Sequence, residues 1–311
     1  MGGVGGESMT GEARKETGLS EDYARHRPLL FAIAYRMTGS VSDAEDIVQE
    51  AFTRLTQAVR GGTTVTEPKA YLATAATRLA LNHLRSARLR RESYRGTWLP
   101  EPVFTGPGPE EHAEMADSLS MAFLVVLESL SPAERAVFLL HEVFGYEHKE
   151  TAEITGTSVA NSRQVLARAR RHIDEGKPRF EASRAQREEV ARRFFAAAGG
   201  GDLDGLLRAL APDAVYYGDG GGKARALAAP MHGRERIARF LAGLFRRIQK
   251  RQARVRIVEV NGQPGAVTYD GDGRVLNVFA LDIVDGAVQA VRCVVNPDKL
   301  RHLAPARRPH V

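Results

Sequence analysis

The hydrophobic period of this chain changes along its length, and that change limits the folds open to it. From about residue 20 to 175 apolar residues recur at helical spacing. Tyr23, Leu30, Ala34 and Met37 share one face, and Ile47, Val48, Ala51, Phe52 and Leu55 form another stripe. Beyond 250 they alternate instead, in four runs at 253–260, 265–270, 274–284 and 287–296, with Asn261-Gly262 and Asp285-Gly286 at turns. Those dipeptides suit two-residue hairpin turns, whose central residues need positive φ. Helices are expected between the two regimes at about 184–198, 203–210 and 234–248. A chain that is all helix first and antiparallel sheet last reads as multidomain, with all-α units followed by an α+β unit. Its 311 residues suit two or three modules, and 43% hydrophobic content supplies their cores.

Glycine, proline and capping residues place the boundaries. Residues 1–18 read as a disordered tail, and 19–91 as the first helical unit. A linker at 92–113 carries WLPEP (98–102). A second helical unit spans 114–178, and the α+β unit 180–311. Ser42-Asp43-Ala44-Glu45 and Ser131-Pro132-Ala133-Glu134 both read as capping boxes, the second with proline at the first helical position. In 147–173, Ala152 and Ile154 precede Gly156, Ser158 is placed to cap a further helix, and Leu166 and Ala169 face inward. Helix, glycine turn and helix is the helix-turn-helix arrangement, whose second helix enters a DNA major groove.

The net charge of +6 is unevenly spread. Lys69, Arg78, Arg85, Arg88, Arg90, Arg91 and Arg95 lie on or just past the third helix. Arg163, Arg168, Arg170, Arg171, Lys177 and Arg179 load the end of the second unit. Either patch alone could be a solvated face; two in separate units favour two contacts on one nucleic acid. Val159, Asn161, Arg163 and Gln164 fall on the groove-facing half of the candidate recognition helix, where Arg and Gln suit guanine and adenine. Arg168 and Arg171 suit phosphates. The second helix has the opposite sign, with Asp43, Glu45, Asp46 and Glu50. Helix-dipole support explains the first two; an acidic protein-binding face competes as the explanation for Glu50.

Together these segments resemble the extracytoplasmic-function sigma factors. DAEDIVQEAFTRL (43–55) resembles the family's polymerase-binding helix, which implies contact with the β′ clamp through Asp43, Asp46, Gln49 and Glu50. PKAYLATAATRLALNHLRSARLRRE (68–92) resembles the helix that captures an unstacked −10 base, implying roles for Arg78, Asn82, Arg85 and Arg88. LSPAERAVFLLHEVFGYEHKETAEITGTSVANSRQVLARARRHI (130–173) resembles the −35-reading domain, with the β flap as the implied further partner. Two positions depart from the pattern: Arg78 stands where the family often has Asn, and Ser162 fills a usually apolar site. WLPEP, DGGGK (219–223) and NPDKL (296–300) are similar to signatures of a subgroup with a fused SnoaL-like domain, the SigJ type. That implies a cone-shaped α+β barrel that regulates the sigma core through Trp98, Pro100, Asp219, Lys223, Asn296, Asp298 and Lys299.

Other chemistries have weaker support. Gly218–Lys223 fails as a phosphate loop, because Tyr217 replaces the first glycine and Ala224 the Mg²⁺-binding hydroxyl. Asp219, Asp282, Tyr216 and Tyr217 are the candidates for acid–base catalysis in a pocket. Asp219 nevertheless starts a turn and Asp282 suits a solvent-facing strand position, so no catalytic role, cofactor or metal is expected, and a small ligand is left open. A lone Cys293 permits no internal disulfide and reads as core. The sequence shows no apolar run long enough for a bilayer and no signal-peptide pattern, so a cytoplasmic protein is expected. A stand-alone helix-turn-helix repressor and a SnoaL-like enzyme with a helical appendage remain as competitors. The first would not need the acidic helix, and the second would turn over a small molecule without polymerase.

Overall fold

The structure, a computed structural model, describes residues 11–92, 94–106, 119–174 and 183–303, with side chains given at 21–86 and within these ranges from 94 on. The first unit is three helices, α1 (Gly11–Thr38), α2 (Val41–Arg60) and α3 (Pro68–Glu92). Helix α1 starts inside the stretch expected to be a tail, because Glu12, Ala13, Arg14, Lys15 and Glu16 are strong helix formers. Residues 1–10 lie outside the described residues. Gly39, at φ +67°, ends α1 and delivers Ser40 in an extended conformation. Ser40 therefore caps α2, accepting from the Asp43 amide at 3.2 Å. The box expected at Ser42 and Glu45 does not form, and Glu45 instead pairs with Arg27 at 2.5 Å.

The second unit comprises α4 (Met121–Leu127), α5 (Pro132–Phe138) with a π turn at Leu139–Val143, α6 (His148–Thr155) and α7 (Val159–Asp174). Here the expected box forms: the Ser131 amide donates to Glu134 Oε2 at 3.0 Å and the Glu134 amide to Ser131 Oγ at 3.3 Å. Gly156, at φ +70°, closes α6, and Ser158 Oγ accepts from the Asn161 amide at the start of α7. The two helical units are not separate bodies. Leu30, Ile33, Leu72 and Leu84 belong to one apolar cluster with Val137, Phe138, Leu166 and Ala169. Arg135, 3% exposed, donates to the carbonyl of Met37 at 2.6 Å, satisfying an orphan group at the end of α1, and to Glu128 at 2.7 Å.

The third unit contains α8 (Arg184–Gly200), α9 (Leu203–Ala209), β2 (Leu210–Asp219), β3 (Met231–His232), α10 (Arg234–Lys250), β4 (Arg254–Val260), β5 (Gln263–Tyr269), β6 (Val275–Val284), β7 (Ala287–Val294) and a 3-10 turn at Pro297–Leu300. The two expected hairpin turns form, with Asn261, Gly262, Asp285 and Gly286 all at positive φ. The linker contributes β1 (Phe104–Thr105) as an edge strand on β4, giving the order β1-β4-β5-β6-β7-β2-β3. The sheet is mixed rather than purely antiparallel, since β2 lies parallel to β7.

One face of the sheet packs on α8 and α10. That interior is filled by an aromatic cluster, Phe194, Phe195, Phe245 and Phe279, beside Tyr216 and Cys293. Burial pushes the Cys293 thiol up to about 12. The opposite face, with Val260, Val267, Val278 and Val294, receives Leu99 of the linker, Met121 of α4 and Leu300.

Candidate nucleic-acid interface and its internal clasp

Helix α2 buries Ala44, Ile47, Val48, Ala51, Phe52 and Leu55, which leaves Asp46, Gln49 and Glu50 exposed on its other side. Among the described residues Glu50 pairs only with Arg54, an exposed contact at 2.8 Å. Asp43 turns inward and lies 3.1 Å from His83 of α3. The sequence-expected polymerase face is thus three residues together and one apart.

On α3, Asn82 and Arg85 are exposed, and the side chain of Arg88 is outside the described residues. Arg78 is already engaged. Its Nε donates to the carbonyl of Ile154 and its Nη2 to that of Glu153, both at 3.1 Å, at the C-terminal end of α6. Beside it a cleft of about 550 Å³ is lined by Arg54, Thr63, Thr66, Glu67, Tyr71 and Thr74.

Helix α7 follows α6 as the second helix of the motif. Val159 is half-buried, whereas Asn161, Arg163, Gln164, Arg168 and Arg171 are exposed along one side. Leu166 and Ala169 point into the core as expected, and so does Ser162, whose hydroxyl finds no partner in this packing. Arg168 lies 3.8 Å from Glu134, while Arg171 hydrogen-bonds back to Ala167.

The three short signatures converge on one another. Asp219, fully buried at the end of β2, accepts from the Leu99 amide at 2.8 Å, from Lys299 Nζ at 2.7 Å and from the Tyr94 hydroxyl. Lys299 also donates to the Leu99 carbonyl and lies over the rings of Trp98 and Tyr94, 4.3 and 4.9 Å from their centroids. Burial, then the bond to Asp219, hold the Tyr94 phenol well above its ordinary pKa, so it stays a donor. Asn296 Nδ2 donates to the Tyr94 hydroxyl at 2.9 Å, and Lys223 pairs with Asp298 at the rim.

DGGGK and NPDKL therefore do not form an exposed contacting surface. Asp219, Asn296 and Lys299 are buried, Asp298 is half-buried, and Lys223 is exposed. Gly221, at φ +58°, has no room for a Cβ because Asn296 and Tyr94 close over it. Asp282 does not face solvent either: it is buried against Arg292 at 2.8 Å.

Glu101 does not meet a lysine. Its carboxylate caps α2, accepting from the Val41 amide at 2.7 Å and from Ser40 Oγ at 3.0 Å. Trp98 packs against Gly39 so closely that a Cβ there would lie 2.6 Å from the indole. Asn261, fully buried in a hairpin turn, donates to Tyr35 and to the Leu119 carbonyl and accepts from the Val103 amide. Tyr35 in turn donates to the Glu101 carbonyl at 2.6 Å. Tyr35 and Tyr94 carry no local pattern of their own, and Asn261 is marked in the sequence as a turn residue alone. The WLPEP string contains Glu101.

Three family profiles match in order: Sigma-70 region 2 at 23–90, Sigma-70 region 4 at 120–173 and a SnoaL-like domain at 191–295. The ECF RNA polymerase sigma factor SigJ of Mycobacterium tuberculosis is 39% identical over 88% of this chain and 90% of its own length. A probable ECF RNA polymerase sigma factor, SigI, of the same species is 37% identical over 62% of this chain and 67% of its own. The crystal structure of the M. tuberculosis SigJ superposes with a TM-score of 0.71, covering 90% of this chain and 97% of that one. With region 2, region 4 and the fused domain all accounted for, the chain belongs to the extracytoplasmic-function RNA polymerase sigma factors.

Proposed function

We propose that this sigma factor performs promoter-specific initiation from a closed form, which its fused domain holds shut through the linker. Asp46, Gln49 and Glu50, with Asp43 behind them, meet the β′ clamp of core polymerase, and the second helical unit meets the β flap. Arg78, Asn82, Arg85 and Arg88 serve the −10 element, and the cleft beside Arg78 receives an unstacked base. Val159, Asn161, Arg163 and Gln164 read the −35 element, while Arg168 and Arg171 hold phosphates. Arg78 cannot serve DNA while it holds the carbonyls of α6, so the helical units part before promoter engagement.

The observation that carries the regulatory half is the buried Asp219, which grips the Leu99 amide of the WLPEP linker with Lys299 and Tyr94 completing the grip. Trp98 and Pro100 lie on the α1–α2 turn, so the linker ties the fused domain to the sigma core. Regulation here is by contact rather than by catalysis: the interior of the cone is packed with phenylalanine side chains, and Asp282 is neutralised by Arg292. The site of action is the cytoplasm, where sigma factors work. Run-off transcription with purified core polymerase and a genomic promoter library tests the reading. Full-length protein should yield discrete promoter-dependent products, and deletion of 180–311 should change their yield severalfold. No product from either form would sink the assignment of these surfaces, and equal yields would sink the regulatory half.

A further inference from the structure

Helix α10 of the fused domain carries a charge pattern that the clasp does not use. Residues 234–256 hold nine of the chain's 44 lysines and arginines, against one carboxylate, Glu235. On α10 itself Ile237, Leu241, Phe245 and Ile248 face the core. Arg236, Arg239, Arg246, Arg247 and Lys250 are exposed, and at 100° per residue they fall within one outward stripe. At 1.5 Å per residue the stripe is about 21 Å long.

The neighbouring helix shows what a merely solvated face looks like in this domain. On α8, Arg184 pairs with Glu188 and Glu259, and Arg192 and Arg193 pair with Glu189. Among the described residues no carboxylate lies within ion-pair distance of Arg236, Arg239, Arg246, Arg247 or Lys250. Arg246 and Arg247 each bond back through Nε to the carbonyl four residues earlier. Those bonds orient both guanidinium groups and leave their terminal nitrogens for a ligand. Gly243, at the centre of the stripe, adds no bulk; a Cβ there would meet only Arg247, at 4.0 Å.

We infer that this stripe is a third DNA contact, binding the phosphate backbone of duplex beside the −35 element without reading sequence. A membrane-surface helix needs a free apolar face, but that of α10 is buried in the domain core. A protein partner needs aromatic or apolar anchors among the charges, whereas the stripe consists of cations and one glycine. A row of unpaired cations matches a polyanion with one charge per about 1.7 Å of duplex. The fused domain also starts close behind the −35 reader. Asp174 ends α7 and Arg184 opens α8, so the connection spans at most about 35 Å when extended.

The test uses the full chain with a 40-base-pair duplex of random sequence, read by fluorescence anisotropy between 50 and 200 mM salt. Each lost phosphate contact lowers the slope of log affinity against log salt by about 0.9. The triple variant R246Q/R247Q/K250Q should therefore lose about 2 to 3 from the slope, with its circular dichroism and melting unchanged. R246K/R247K should keep the wild-type slope. An unchanged slope in the triple variant overturns the inference. So does an unchanged slope accompanied by lost capture of core polymerase or of anionic vesicles, which would give the stripe to that partner instead. Absence of any duplex binding by the wild-type chain overturns it as well, and leaves the promoter reading to the run-off assay, which tests it separately.

Discussion

Replacing Lys299 with methionine removes the charge of the clasp while keeping most of its length. In the native structure the ammonium is buried, with Asp219 Oδ2 at 2.7 Å, the Leu99 carbonyl and two aromatic rings around it. Without it Asp219 remains a fully buried carboxylate, held only by the Tyr94 hydroxyl and the Leu99 amide. Breaking a buried pair from one side costs about 3–5 kcal/mol, because the partner charge is left uncompensated. If linker release is the route by which the Leu99 amide exchanges its proton, Lys299→Met should speed that exchange by two to nearly four orders of magnitude at about 1.4 kcal/mol per decade. Hydrogen exchange read peptide by peptide over 94–101 measures it. Adding Asp219→Asn should restore much of the protection, since the carboxamide oxygen still accepts from Leu99 and no charge is stranded; this double-mutant cycle isolates the pair. Promoter output from Lys299→Met should rise, because a shift of about 1.4 kcal/mol multiplies a rare open population tenfold. Leu99 exchange within threefold of wild type would refute the claim that this pair holds the linker.

Asp46→Arg with Glu50→Arg should abolish capture of core polymerase in a pull-down while shifting stability by no more than about 0.5 kcal/mol, since both positions are exposed. Arg163→Ala should cost about 1–3 kcal/mol at one −35 base pair and relax specificity there, as read by binding to a set of single-base promoter variants. Arg171→Ala should instead weaken all sequences alike and lower the salt slope by about 0.9. Arg78→Ala removes two charge-assisted bonds to the end of α6, and should lower the protection of α6 amides against exchange by about 1.5–3 kcal/mol; unchanged protection would show that this contact does not hold the helical units together.

Local signals were legible in the sequence, and contacts distant along the chain were not. The helix-turn-helix could be read because its parts are contiguous: the Ser131 box, Gly156 at positive φ and the Ser158 cap all lie within 28 residues. The β4–β5 and β6–β7 hairpins were legible for the same reason. The start of α2 was misread because Ser42 and Glu45 satisfy the box spacing. Its real support comes from Ser40 and from Glu101, 60 residues beyond Val41. Strand β2 was not foreseen because it contains Pro212 and Asp213 and joins β7 in parallel, with no hairpin turn to announce it. Asn261 was visible as a turn residue, but its bond to Tyr35 spans 226 residues, and nothing local marks such a partner.

The clasp is assembled from residues at opposite ends of the time it takes to make the chain. Lys299 closes on a carbonyl 200 positions earlier. At about 5–20 residues per second, the linker is out of the ribosome for roughly 10–40 s before its lock exists. During that interval α4 to α7 are completed, while the sheet face that covers Leu99 is still being synthesised. A chain clipped anywhere between the helix-turn-helix and Asn296 returns to the same condition, carrying both DNA-reading units and no lock. If the clasp holds the sigma core shut as proposed, newborn and trimmed chains form one functional class and intact chains another.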